Sequence, residues 1–246
     1  MVSVNREGYK FYQDICIPCY QTDKHALLRP AAFMDLAQEI ACQAAQQLGF
    51  GYDALHAQHT AWVLSRLHIR FNGPVRWWDT VRLYTWHKGL KGLFFLRDFS
   101  LLDQTGECRI CATSSWVMID ELTRHLARPN ELSPLLAPSC EVQDALEEPA
   151  PKLSMPPAME PAGEHRVACS DLDFVGHANN ARYMLWAMDC LPPEEMDRPV
   201  KEVFINFHKE TKLGESVQLF RLQDGNTWYV EGRLDGKACF SVKMEF

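Results

Sequence analysis

A chain of 246 residues, 47% hydrophobic and 23% charged, holds enough apolar material for one large core or two packed domains and too much for a disordered polymer. Its 25 basic and 32 acidic side chains give a net charge of −7, which excludes a general binder of nucleic acid or of anionic membrane. No uncharged apolar run reaches the roughly 18 to 20 residues of a membrane helix, and the opening MVSVNREGYKF has no apolar signal core; a cytoplasmic protein without membrane insertion is expected.

The nine cysteines are an odd number for a disulfide framework; a reducing compartment is expected, with most of them buried thiols. Two pairs, Cys16/Cys19 and Cys108/Cys111, have C-x-x-C spacing. Cys108 and Cys111 lie in the alternating run CRICATSSWVMI, where residues three apart point to opposite faces of a strand, so no metal site is expected.

After an approach strand, the first long helix opens at Pro30. Its apolar pairs at 32/33, 36/37, 40/41 and 44/45 recur every four residues, and Gly49 ends it. The period then drops to two in LHIRF (67–71) and DTVRLYTW (79–86), as in half-buried antiparallel strands. Eight of the fourteen prolines fall between 129 and 161, beside Glu141, Asp144, Glu147 and Glu148, and this stretch reads as a linker. Beyond it the same order returns: a polar loop, an apolar helix over roughly Asn180 to Cys190 ended by Pro192-Pro193, then VFINF (203–207) and ESVQLF (215–220).

The halves superimpose as sequences. An offset of 150 pairs Asp23 with Asp173, Phe33 with Tyr183 and Met34 with Met184; an offset of 136 pairs Ile69 with Ile205, Phe71 with Phe207, Asp79 with Glu215 and Val81 with Val217; 130 pairs Gly106 with Gly236. The fold expected is therefore α+β and duplicated, each copy a curved antiparallel sheet wrapped around one long helix, over residues 1–127 and 163–246 with the Pro-rich acidic linker at 128–162.

Duplication makes each copy a control for the other. His177 aligns with Leu27 and Glu210 with Pro74, so the second copy alone carries an acid/base pair at these places, whereas Asp173 has Asp23 as its counterpart. Glu210 follows VFINF and is expected within the sheet that wraps the helix. Asn179 or Asn180 can cap that helix, and the N–H groups after His177 are expected to hold an oxyanion. No G-x-S-x-G, G-x-G-x-x-G or H-E-x-x-H motif competes with this reading.

The segment SDLDFVGHANNARYMLW, followed by NFHKET, resembles the signature of the fatty acyl-acyl carrier protein thioesterases, a plant and bacterial family with two hotdog folds in one chain. The resemblance extends over the first-half helix RPAAFMDLAQEIACQAAQQLG and the strands WVLSRLHIRFNGPVRWWDTVRLYTW. It implies a tandem hotdog that hydrolyses the thioester tethering a fatty acyl chain to acyl carrier protein, releasing free fatty acid and terminating elongation with no cofactor. It also implies catalytic roles for Asp173, His177 and Glu210, the last as general base or as direct nucleophile. Val175 departs from the family's Asn two residues before the His, and Thr211 from a family Cys.

The acyl chain is expected along Phe33, Met34, Leu36, Ile40 and Trp62 of the first copy. An acidic carrier protein is expected to dock on the basic stretch from Arg66 to Arg97, in particular on Arg66 and Arg70, which share a strand face. Single-hotdog proteins pair to make what this chain holds in one piece, which leaves monomer and homodimer both open. The competing functions are an acyl-coenzyme A thioesterase of the same fold and a non-catalytic acyl-thioester-binding protein.

Overall fold

In the computed structural model, residues 4–127 and 142–246 are described; the front of the expected linker, with Pro129, Pro134 and Pro138, lies outside them. The chain divides into two compact units, one of residues 1–65 and 71–150, the other of residues 66–70 and 151–246.

In the first unit, α1 (Pro30–Gln47) follows β1 (Asn5–Glu7) and β2 (Lys10–Cys16), and Pro at the first helical position supplies the fixed backbone angle a helix start needs. A short α2 (Tyr52–His56), which the apolar periodicity does not reveal, precedes β3 (Thr60–Phe71), β4 (Thr80–Lys91), β5 (Phe94–Leu102) and β6 (Cys108–Asp120). Neighbours in the sheet run β1-β2-β4-β5-β6-β3. The helix buries Phe33, Met34, Ala37, Ile40, Ala41 and Ala44, and it packs on β4 and β2. Phe50, Leu55, Phe95 and Met118 continue that core.

The second unit repeats the plan with β7 (Glu160–Arg166), α3 (Asn180–Asp189), β8 (Glu202–Phe207), β9 (Ser216–Asp224), β10 (Thr227–Leu234) and β11 (Lys237–Glu245). Its order, β7-β9-β10-β11-β8, is that of β2-β4-β5-β6-β3, so the duplication read from three sequence offsets is also a duplication of topology. Residues Arg66–Arg70 of β3 pair with β8, with Arg66 opposite Asn206 and Arg70 opposite Glu202. Tyr183, Met184, Trp186 and Ala187 are the buried face of α3, set against β10 and β11. This is the α+β tandem hotdog that the resemblance implies.

The described part of the linker is docked rather than free. Trp86 Nε1 donates to Gln143 O at 2.9 Å, Lys88 Nζ to Leu146 O at 2.7 Å, and the Ala145 N–H to Asp98 Oδ2 at 2.7 Å. In the second unit the buried Asn206 amide accepts the Leu153 N–H at 2.8 Å and donates to Pro151 O at 3.0 Å. β7 begins at Glu160, inside the stretch assigned to the linker.

Two sequence expectations about the cysteines fail, the first for a local reason. Leu101 pairs with Ile110 but Leu102 with Cys108, so Arg109 is the extra residue of a β-bulge. The bulge brings Cys108 to Cys111 and their sulfurs are joined, where strict alternation would have parted them. Among the described free cysteines Cys16, Cys19, Cys42 and Cys169 are exposed and Cys190 and Cys239 are buried, so the expectation that most are buried thiols does not hold for them.

Candidate active site

The loop before α3 is built on one carboxylate. Asp173 Oδ1 accepts the N–H of Val175 at 3.0 Å and of His177 at 3.2 Å, and the Asp173 N–H donates to His177 O at 2.8 Å. Gly176 sits between them at φ +85°, a conformation open to glycine at little cost. Asp23 makes the same turn in the first unit, accepting from His25 at 2.8 Å and Leu27 at 2.9 Å. Asp173 therefore fixes the loop through backbone N–H groups, and the side chain it presents at this place is His177 where the first unit presents Leu27.

His177 bridges to Lys212 across two short extended segments, as Leu27 bridges to Arg76. This brings the His177 imidazole to Glu210: Nε2 and Oε2 are 3.6 Å apart, and both side chains are partly exposed. That distance is an ion-pair separation, slightly longer than a hydrogen bond. Glu210 lies past the end of β8, in the loop that leads to β9, and not within the sheet as expected from the apolar run before it. The bend there lets its carboxylate meet His177 instead of standing in a ladder.

Asn179 is the N-cap of α3, its Oδ1 accepting the Ala181 N–H at 2.9 Å. The expected oxyanion donors are largely taken. The Ala178 N–H donates to Thr211 O at 2.9 Å and the Asn179 N–H to Asp171 O at 2.8 Å, because this segment is pinned to its neighbours on both sides. Asn180, the first helical residue, is partly exposed, and its N–H has no acceptor among the described residues.

Two polar groupings of the second unit escaped the sequence reading. The buried Tyr183 hydroxyl accepts the Thr211 N–H at 3.0 Å and shares a hydrogen bond with Thr211 Oγ1 at 3.0 Å. His165 Nε2 meets Asp171 Oδ2 at 2.9 Å and stacks on Trp186 with ring centroids 4.3 Å apart. Burial works to raise the Asp171 carboxyl, but the Ala168 N–H, His165 and Trp186 together hold it below its ordinary value. The signal was available in the same offsets, which place Phe33, Val75, Ile15 and Gln21 at the matching positions.

Arg66 and Arg70 stand on β3, Arg66 partly buried and Arg70 exposed. Arg70 Nε is 2.5 Å from Glu202 Oε1. Much of the remaining basic stretch is also compensated or buried: Arg82 pairs with Asp14 at 2.6 Å, Lys88 with Asp98 at 3.3 Å and Asp144 at 3.0 Å, and Arg97 is in the core. Among the described residues no three His, Cys, Asp or Glu side chains are grouped to hold a metal, and no helix is long and apolar enough to cross a membrane.

The family model for the acyl-ACP thioesterase N-terminal domain matches residues 8–132, and that for the acyl-ACP thioesterase C-terminal domain matches residues 158–236. The chain is similar to the chloroplastic oleoyl-acyl carrier protein thioesterase 2 of Arabidopsis thaliana, with 27% identity covering 86% of this chain and 62% of that protein. It is also similar to the chloroplastic palmitoyl-acyl carrier protein thioesterase of Gossypium hirsutum, with 28% identity covering 90% of this chain and 57% of that one. The chain thus spans less than two thirds of the length of these relatives. In fold it matches an acyl-ACP thioesterase from Bacteroides thetaiotaomicron (TM-score 0.86, 22% identity, 97% of this chain and 98% of that one). A 12:0-ACP thioesterase from Umbellularia californica gives a TM-score of 0.83 at 22% identity, covering 98% of each chain. With one model matched on each side of the linker, in the order in which the two hotdogs follow each other, the chain belongs to the acyl-ACP thioesterase family.

Proposed function

We propose that the protein hydrolyses the thioester of a fatty acyl group carried on acyl carrier protein, releasing the free fatty acid and ending chain elongation. The observation that carries this reading is the facing pair His177 and Glu210, 3.6 Å apart, at two places where the first unit has Leu27 and Pro74. Glu210 takes a proton from water as the water oxygen attacks the thioester carbonyl carbon. The negative charge that develops on the carbonyl oxygen is met by the Asn180 N–H at the start of α3. Collapse breaks the carbon–sulfur bond, and His177, facing Glu210, relays the proton that Glu210 took from water to the departing thiolate, so that both side chains return to their starting states. Asp173 keeps His177 in place through its backbone, and Asn179 caps the helix that offers the donor.

The carrier docks in this reading on the β3 face of Arg66 and Arg70, and the cytoplasm is the compartment. Sedimentation of the purified protein distinguishes monomer from homodimer. The decisive assay measures fatty acid released from acyl carrier protein loaded with a series of chain lengths, beside the matching coenzyme A esters. Carrier-dependent hydrolysis that falls by about 10² or more in Glu210→Gln supports function and site together. Normal turnover in that variant removes Glu210 as base, and tight binding without hydrolysis favours a sensor.

A further inference from the structure

We propose that Tyr183, acting through Thr211, is a positioning residue that holds the Glu210 carboxylate opposite His177. The proposal rests on the hydrolase reading above, and it concerns two buried hydroxyls that the reaction itself does not use.

Thr211 directly follows Glu210 and is fully buried. Its peptide is held at both ends. The carbonyl accepts the N–H of Ala178, the residue after His177, at 2.9 Å, and the N–H donates to the Tyr183 hydroxyl at 3.0 Å. The same hydroxyl hydrogen-bonds Thr211 Oγ1 at 3.0 Å, so backbone and side chain of Thr211 are both tied to one phenol. The phenol is itself well fixed. Its ring lies 4.8 Å from Trp186 edge-to-face and 5.1 Å from Phe240, and burial, with the Glu210 charge adding to it, pushes the hydroxyl up to about 12, so it stays protonated at any working pH.

The first unit shows what the fold alone requires. There Val75 O accepts the Leu28 N–H at 2.8 Å, so the carbonyl half of the clamp is present. Phe33 and Val75, both buried, replace Tyr183 and Thr211, so the hydroxyl half is missing. An apolar pair packs the same backbone arrangement, and the polar pair accompanies only the copy that carries His177 and Glu210. Tying the residue after Glu210 to a helix anchored in aromatic packing restricts where the carboxylate stands, and a catalytic group about 1 Å out of place costs up to about 10² in rate.

The test returns the second unit to the residues of the first with Tyr183→Phe, Thr211→Val and both together, assayed on acyl carrier protein substrate. Each single variant is expected to lower kcat about tenfold or more with KM within about twofold and folding cooperativity retained. The double variant should fall no further than the worse single, since both remove one device. Thr211→Ser, which keeps the hydroxyl, should recover most of the turnover lost in Thr211→Val. Independently of activity, the imidazole NMR shifts of His177 in Tyr183→Phe should move towards those in Glu210→Gln. Unchanged His177 shifts with unchanged kcat overturn the proposal, as does a loss of turnover that merely tracks the unfolded fraction. If the wild-type protein hydrolyses no thioester, the hydrolase reading fails and the shifts alone decide the positioning claim.

Discussion

Asp173 holds His177 by its backbone: Asp173 Oδ1 accepts the His177 N–H at 3.2 Å, as Asp23 Oδ1 accepts the Leu27 N–H at 2.9 Å in the first unit. A carboxylate that does the same in a copy without the histidine is acting on the loop. Asp173→Asn keeps the accepting oxygen and should retain turnover to within about tenfold, whereas Asp173→Ala strands two N–H groups and should cost about 1 to 3 kcal/mol of stability. Asp23→Ala should destabilise similarly in urea unfolding. A loss in Asp173→Asn as large as in Glu210→Gln would instead give Asp173 a direct part in the reaction.

Burial holds His68, His87 and His208 below their ordinary pKa, and the first two, the most buried, make the fold sensitive to mild acid. Burial lowers the pKa of His68 despite the nearby Glu202, and burial and the Arg97 guanidinium hold His87 well below its ordinary value. In the unfolded chain both protonate near pH ~6.5, while in the folded protein they stay neutral to lower pH. The unfolded state thus binds more protons, so stability is full above pH ~6.5 and falls as the pH drops below it, by up to about 1.4 kcal/mol per pH unit for each histidine. Denaturation midpoints measured on either side of that value should show the decline, and His68→Gln should flatten it.

The buried pair Lys88 and Asp98 secures the linker to the first unit. Lys88 Nζ reaches Asp98 Oδ2 at 3.3 Å and Leu146 O at 2.7 Å, and both side chains are almost wholly buried. Removing one partner leaves an uncompensated charge, so Lys88→Met should cost about 3 to 5 kcal/mol, with much of that recovered when Asp98→Leu is added. Additive losses in the double variant would show that the two charges do not act as a pair.

Carrier docking is tested by charge. Arg66→Glu and Arg70→Glu should raise KM for carrier-bound substrate while sparing a small thioester. Because Arg70 already pairs with Glu202, its reversal also breaks that contact, and Glu202→Gln is the matched control. Equal kinetics on carrier-bound substrate in both reversed variants would move docking to another surface.

Both long helices, the ladder strands and the duplication were legible in sequence, because apolar periodicity and repeat spacing are local properties of the chain. The span expected from Pro30 to Gly49 became α1 over Pro30–Gln47, and the one expected over Asn180 to Cys190 became α3 over Asn180–Asp189. The asymmetry that singled out His177 and Glu210 was legible for the same reason, since it is a comparison of two strings. What the strings could not contain was contact. The seven-to-one ratio of basic to acidic residues between Arg66 and Arg97 reads as a charged face, yet Asp14, Glu202 and Asp144 reach much of it from distant parts of the chain, and Asp98 reaches Lys88 from the neighbouring strand. The N–H groups after His177 look open in sequence, and Thr211 O and Asp171 O occupy them only because the loop after β8 and the turn before α3 meet there. Residue type and spacing determine which elements form and where chemistry is concentrated. Only packing decides which charges are neutralised, which donors stay open and which hydroxyl holds which backbone, because those energies depend on distances across the fold.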